Sequence, residues 1–221
     1  MISITNLTQR NGDRILLDNI TLTVPEKTVF GILCQDKAER IALMEALAGI
    51  CVTFEGEISL CGHSITNDRL NAQLSMSYMP EDMPFYKNMT VIEYLSFITE
   101  AKQLDFEQAQ KNIKSALTST NLLALKDAVI SKLSSPGRAR LGIAQAIASN
   151  SSVLLFCNPT SDLSKNEAQE IFKLIKTVSR SKSAIIVSND PQVLFFCDSG
   201  AMLSDGKLDT NIKSFLGKEA E

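Results

Sequence analysis

Apolar and polar residues alternate at the start of the chain, over Ile2 to Leu7 and again over Ile20 to Val24. That period predicts half-buried antiparallel strands. Thr28 to Leu33 is continuously apolar, as a strand buried on both faces would be. A helical period follows over Arg40 to Ala48, with Gly49 placed to cap its end. Glu57–Cys61 and Leu74–Met79 read as further strands. From Thr90 to about Leu133 the period is helical. Thr90 can cap Val91 to Glu100, and Asp105 with Gln108 spells a capping box for a helix through about Leu117. Ser135-Pro136 reads as an N-cap serine and a first-turn proline opening a helix from Gly137 to Ser149. The last third returns to alternation: Val153–Phe156 and Ala184–Val187 are short apolar runs around an amphipathic helix, Asn166–Ser179. Such spacing predicts parallel strands with crossover helices. The pattern describes an α/β body interrupted by a helical insertion.

Composition narrows the function. The 221 residues carry a net charge of -3 with no block of like charge, which argues against a dedicated nucleic-acid binder. No run approaches ~18 uninterrupted apolar residues, and the opening alternation reads as a strand and not a signal peptide. Five cysteines, with no C-x-x-C pair, point away from zinc and from a disulfide framework, toward a reducing cytoplasm. There are 10 glycines, where average usage would give roughly 15. The one histidine, His63, reads as an exposed turn residue. Phosphate cradles need glycine and proton transfer often needs histidine, so both scarcities point away from catalysis.

Phe30-Gly31 through Gly49 forms a strand, loop and helix of the kind that can hold phosphate, although the loop alone would not be recognised as such. The stretch Lys132-Leu-Ser-Ser-Pro-Gly137, its following helix, and Val153-Leu-Leu-Phe-Cys-Asn-Pro-Thr-Ser161 resemble the ATP-binding subunits of ABC transporters. In that family the run reads L-S-G-G-Q, R-x-x-L-A-x-A and a Walker B strand ending D-E-P-T. The resemblance covers essentially the whole chain through Leu47-Ala-Gly49, Gly56-Glu-Ile58, Tyr78-Met-Pro80, Met89-Thr-Val91, Asp190 and Gly206-Lys-Leu208. It implies a P-loop NTPase-like α/β fold, with a mixed sheet, an N-terminal antiparallel β region and an inserted helical subdomain. Residues 1–88 and 150–221 would form the body and 89–149 the insertion.

The matched positions hold the wrong residues for that chemistry. The loop equivalents are Cys34, Gln35, Asp36, Lys37, Ala38, Glu39, Arg40, Ile41 and Ala42. Within them Cys34, Lys37 and Glu39 replace three glycines. Arg40 replaces the phosphate lysine, and Ile41 and Ala42 replace two hydroxyls. Cys157 stands for the metal-orienting aspartate and Asn158 for the glutamate that polarises water. Glu81 stands for the metal-sensing glutamine, Asn189 for the switch histidine, Asn11 for the adenine-stacking aromatic and Ser164 for a loop aspartate. The signature equivalents Ser134, Ser135, Pro136 and Gly137 keep the serine but lose two glycines, and Pro136 removes an N–H. Cys34 and Cys157 are expected close together at strand ends, as two small buried hydrophobes.

With these replacements, the resemblance implies a pseudo-ATPase. No metal or cofactor is expected, with ATP and magnesium bound only if the altered site still accepts them. The partners implied are an ABC permease and either a competent ATPase subunit or a second copy, on the cytoplasmic side of a membrane. A divergent but active transport ATPase, and a soluble regulatory or assembly protein, are the alternatives. The segment Glu81–Leu95, rich in Met, Phe and Tyr, either contacts the permease or seals the insertion against the body.

Overall fold

The computed structural model describes residues 1–51 and 53–211. In chain order the elements are β1 (Ile2–Asn11), β2 (Arg14–Val24), β3 (Val29–Cys34), α1 (Lys37–Leu47), β4 (Glu55–Leu60), β5 (His63–Ser64), α2 (Arg69–Ser75) and β6 (Met76–Met79). Next come α3 (Val91–Ala101), α4 (Phe106–Ser119), α5 (Ser135–Ala148), β7 (Val153–Cys157), α6 (Lys165–Val178), β8 (Ser183–Ser188), α7 (Val193–Phe196), β9 (Ser199–Ser204) and β10 (Lys207–Asp209).

The alternating runs form an antiparallel sheet in the order β2-β1-β4-β5, and the apolar runs lie in a six-stranded sheet in the order β10-β9-β3-β8-β7-β6. Within the larger sheet β9, β3, β8, β7 and β6 run parallel and β10 closes antiparallel on β9. All of β7 and β8 is buried, which is why they read as unbroken apolar runs. One apolar cluster joins the antiparallel sheet, α1 and one face of the large sheet, with Ile4, Leu17, Leu43, Leu47 and Leu155 at its centre. A second fills the other face against α5 and α6 around Phe156, Phe172 and Ile186. The insertion has its own cluster, built by Leu95, Ile113, Leu117 and Leu141. Helix α5 serves both neighbours: Ile143 and Ala146 face the sheet, while Leu141 and Ala148 face the insertion. At Gly142 a β-carbon would lie 2.7 Å from Met79 Sδ, so this glycine lets α5 press onto β6.

Several boundaries differ from the sequence pattern. Leu74 and Ser75 belong to α2, not to a strand, because Ala72 is fully buried and Ser75 Oγ donates to Ala72 O at 2.7 Å. Strand β6 begins only at Met76. Helix α1 starts at Lys37, three residues before the apolar period, because Asp36 caps it. At α5 the N-cap is Ser134, with Ser135 and Pro136 inside the first turn; that proline still lies where no intrahelical N–H bond is required. The capping box at Asp105 is half made. Gln108 N donates to Asp105 Oδ1 at 2.9 Å, but the Gln108 side chain turns instead to Asn112 Oδ1 at 2.6 Å. His63 sits in β5, half-buried, with Nδ1 2.6 Å from Asp68 Oδ2. Residues 212–221, included in the expected body, lie outside the described residues.

Candidate functional site

The parallel strands β3, β7 and β8 end on one edge, and the loops that follow them meet there. Strand β3 ends at Cys34 and β7 at Cys157, with β8 between them in the sheet. Two strand spacings and a two-residue offset along the strands separate the cysteines, roughly 11–12 Å. They are therefore not the close pair expected from the sequence. Each is at most 1% exposed. Burial pushes both thiols up to about 12, with help from Glu39 at Cys34 and from Glu81 at Cys157. They stay protonated at neutral pH and behave as small core residues.

Arg40 dominates the edge. It comes from the first turns of α1, is 3% exposed, and points back over its own loop. Its Nη1 donates to Cys34 O and Gln35 O, both at 2.9 Å. Its Nε donates to Glu81 Oε2 at 3.3 Å, and Nη2 reaches Glu81 Oε1 at 3.1 Å and Oε2 at 3.2 Å. Those are five contacts, as many as a guanidinium has N–H donors. Glu81 Oε1 accepts a further bond from Asn158 Nδ2 at 3.0 Å. Asn158 Oδ1 accepts from Ser188 Oγ at 3.2 Å and from Asn189 N at 3.4 Å, and Gln35 Nε2 donates to Asn189 O at 2.9 Å. Asn158 can turn its side chain inward because its backbone takes a left-handed φ of 45°, which asparagine tolerates. Gln35, Arg40, Glu81, Asn158, Ser188 and Asn189 thus close into one network of the chain's own groups.

The N-terminus of α1 is filled in the same manner. Asp36 Oδ1 accepts from Ala38 N at 2.8 Å and Glu39 N at 3.1 Å. Those are the N–H groups that a phosphate would use at a helix start. Arg14 from β2 supports this carboxylate at 2.8 Å, and the ion pair holds Asp36 below the usual aspartate range. Glu39 is buried, accepts Gly206 N at 3.2 Å from the β9–β10 turn, and burial raises its carboxyl above the usual range. Lys37 reaches outward to Asp82 at 3.0 Å, in solvent. Ile41 is half-buried and Ala42 buried, without a polar atom at either side chain.

The remaining expected residues lie elsewhere. Ser134 Oγ accepts Gly137 N at 3.3 Å as the cap of α5, and Ser135 Oγ accepts from Arg138 Nη2 at 3.0 Å. Pro136 sits beside them in the first turn. Ser164 caps α6 in a full capping box with Glu167, and Asn11 lies exposed at the β1–β2 turn. Among the described residues no group of three or more His, Cys, Asp or Glu could hold a metal ion, and no helix is long and apolar enough to cross a membrane. Sequence reasoning named Arg40 and Glu81 separately and did not join them. The available signal was that the resemblance expects both positions to converge on one ligand, and here one holds a cation and the other a carboxylate. Arg14, Asp82 and Ser188 were missed altogether.

Part of segment 81–95 seals the insertion against the body, as one of the two expectations had it. Met83 packs on the body cluster, and Phe85 and Met89 on the insertion's cluster, with Phe85 edge-on to Tyr94 at 5.5 Å. Tyr86 stays 52% exposed and meets Phe97, 40% exposed, edge-on at 5.3 Å.

Comparison with known proteins agrees with this fold. The chain is 25% identical over its whole length to an uncharacterised ABC transporter ATP-binding protein, YybJ, of Bacillus subtilis, and spans all of that protein. It is 26% identical to the galactose/methyl galactoside import ATP-binding protein MglA of Treponema denticola over 94% of this chain but 43% of that one. A third relative, the methionine import ATP-binding protein MetN of Carboxydothermus hydrogenoformans, is 26% identical, with 59% of its length spanned. Among solved structures, cbiO1 from Clostridium perfringens superposes with a TM-score of 0.84 at 21% identity over 99% of this chain and 91% of that one. The dimeric ATP-binding cassette MJ0796 bound to ADP and Pi gives 0.81 at 20% identity, over 94% and 96%. The family model of ABC transporters matches residues 17–161, and the chain belongs to the ABC transporter nucleotide-binding domain family.

Proposed function

We propose that this chain is a pseudo-ATPase: a non-catalytic subunit on an ABC ATP-binding fold, docked on a membrane permease from the cytoplasmic side. The observation that carries this is Arg40. Its guanidinium is committed to Glu81 and to two loop carbonyls, while Asp36 occupies the N–H groups at the start of α1. The residues present do not fit magnesium-bound ATP. An incoming triphosphate would have to displace one carboxylate from the helix and separate another from its buried partner. Ile41 offers no ligand to the metal, and Asn158, held by Glu81 and Ser188, is no base at neutral pH. Phosphoryl transfer is almost entirely positioning and electrostatic stabilisation, and here each of those parts is turned to internal bonding. No single retained residue substitutes.

Within this reading, residues 89–149 act as the helical subdomain. The chain works beside a permease, paired with a competent ATPase or with a second copy. A homodimer would have no working site, because each copy would combine an altered loop with an altered signature.

The test is phosphate release from the purified chain with Mg-ATP, alone and with Arg40→Ala. The expected result is no release above a protein-free blank in either. Turnover in the wild type that the substitution abolishes would establish the divergent active ATPase instead. Co-purification from detergent-solubilised membranes is expected to recover a permease; a wholly soluble pool would favour the assembly-protein alternative.

A further inference from the structure

The network around Arg40 lies where the chain leaves the body for the insertion. Two crossings join them: 80–90, from β6 to α3, and 149–152, from α5 to β7. At the first, Glu81 stands two residues past the end of β6 and is gripped from two sides, by Arg40 of α1 and by Asn158 at the end of β7. The next residue, Asp82, pairs with Lys37, one turn before Arg40 on the same helix. Four and five residues beyond Glu81, Phe85 and Tyr86 rest edge-on against Tyr94 and Phe97 of α3. The connector is therefore held by buried charge at its root and by aromatic packing at its tip.

The far side of the insertion is tied down too. Lys102, the C-cap of α3, donates to Gln73 O at 2.7 Å and Met76 O at 2.6 Å, across the α2–β6 junction. Gln145 of α5 donates to Tyr78 O at 3.1 Å and accepts from the Tyr94 hydroxyl. All of these bonds are made between groups of the chain itself, so none depends on a nucleotide.

From this geometry we infer that Arg40 and Glu81 form a nucleotide-independent latch, which fixes the helical insertion in one orientation on the body. This rests on the self-filled site proposed above and adds to it a mechanical role: both are positioning residues, and Tyr86 and Phe97 are carried with the connector they hold. A buried pair of this kind keeps one arrangement because separating its partners leaves a charge without water or counter-ion.

Hydrogen exchange of the full chain, read by peptide, tests the latch. Glu81→Gln and Arg40→Met are each expected to speed exchange across 80–90 on the order of a hundredfold, as loss of one partner of a buried pair should. Peptides from α6 should stay at the wild-type rate. The double variant should be no faster at 80–90 than the faster single, since the two residues act as one unit. Wild-type exchange there should be the same with and without millimolar Mg-ATP. Wild-type rates at 80–90 in Glu81→Gln would overturn the latch, and so would a change on adding Mg-ATP to the wild type. Should a single variant exchange faster throughout, the pair Arg40→Met with Glu81→Leu decides: faster exchange at 80–90 than wild type with α6 unchanged keeps the latch, and a wild-type rate at 80–90 overturns it. Phosphate release measured on the same samples separates the two proposals. Turnover with nucleotide-insensitive exchange removes the pseudo-ATPase reading and leaves the latch, whereas nucleotide-sensitive exchange without turnover does the reverse.

Discussion

The helical insertion and the strand-end edge that faces it are built from opposite chemistry. In the insertion, Leu95, Ile113, Leu117 and Leu141 are buried against one another with no polar partner to satisfy. At the edge, Arg40, Asn158 and Ser188 are just as buried, and every one is hydrogen-bonded. An apolar cluster needs shape and volume and tolerates many sequences. A buried polar cluster is all-or-none, because one missing partner leaves another group stranded. The contrast teaches that the apolar clusters hold the fold without help from the edge, whose polar groups bond to one another.

Breaking the edge should cost most. Arg40→Ala leaves Glu81, whose side chain is 10% exposed, without its cation beside Asn158, and should lower unfolding stability in urea by up to ~3–5 kcal/mol. Replacing both members with apolar residues, Arg40→Met with Glu81→Leu, should recover part of that loss, because neither charge is then stranded although Asn158 Nδ2 and the two loop carbonyls lose a partner. In the insertion, Leu95→Ala removes a fully buried side chain and should cost ~2–5 kcal/mol. No apolar partner change should behave like the Arg40–Glu81 pair, in which the second substitution partly rescues the first.

Asp36→Ala comes next, at ~1 kcal/mol for a lost helix cap, and its pH dependence sharpens the comparison. The Asp36 carboxyl is held below its ordinary 3.8 by Arg14 and the α1 N–H groups. Its contribution is therefore complete above about pH 4 and is lost as pH falls through the lower, folded value. Glu39 has the opposite sign. Burial raises it above 4.5, so the folded chain loses stability as pH rises through the raised value. Glu39→Gln should melt slightly higher than wild type at pH 7, and that gain should vanish below about pH 4. Thermal melts of both variants between pH 3 and 7 check the two signs. The smallest effect belongs to Lys37→Ala. Its pair with Asp82 is in solvent, so the change should be under about 1 kcal/mol and should fade in high salt.

The same contrast decided what could be read in advance. Apolar periodicity revealed β3, β7, β8 and α6, because a strand buried on both faces or a helix with one buried stripe must show that burial in its residue order. It failed where polar bonds set the boundary. Asp36 starts α1 early, Ser134 caps α5 in place of Ser135, and the bond from Ser75 to Ala72 extends α2 through residues that alternate like a strand. Arg40, Glu81, Asn158 and Asn189 could each be named from the sequence, one by one. Their closure into a network could not, since it depends on Arg40 and Glu81 converging across 41 residues of chain. The two cysteines show the converse error: both stand at strand ends as expected, but sequence order does not reveal that β8 runs between them.

Calorimetric titration of Mg-ATP into the purified wild-type chain is the most direct measurement of whether the cradle is closed. With Arg40 and Asp36 committed as they are here, no saturable, magnesium-dependent heat should appear. Micromolar affinity that requires magnesium and disappears in Arg40→Ala would contradict a self-filled site.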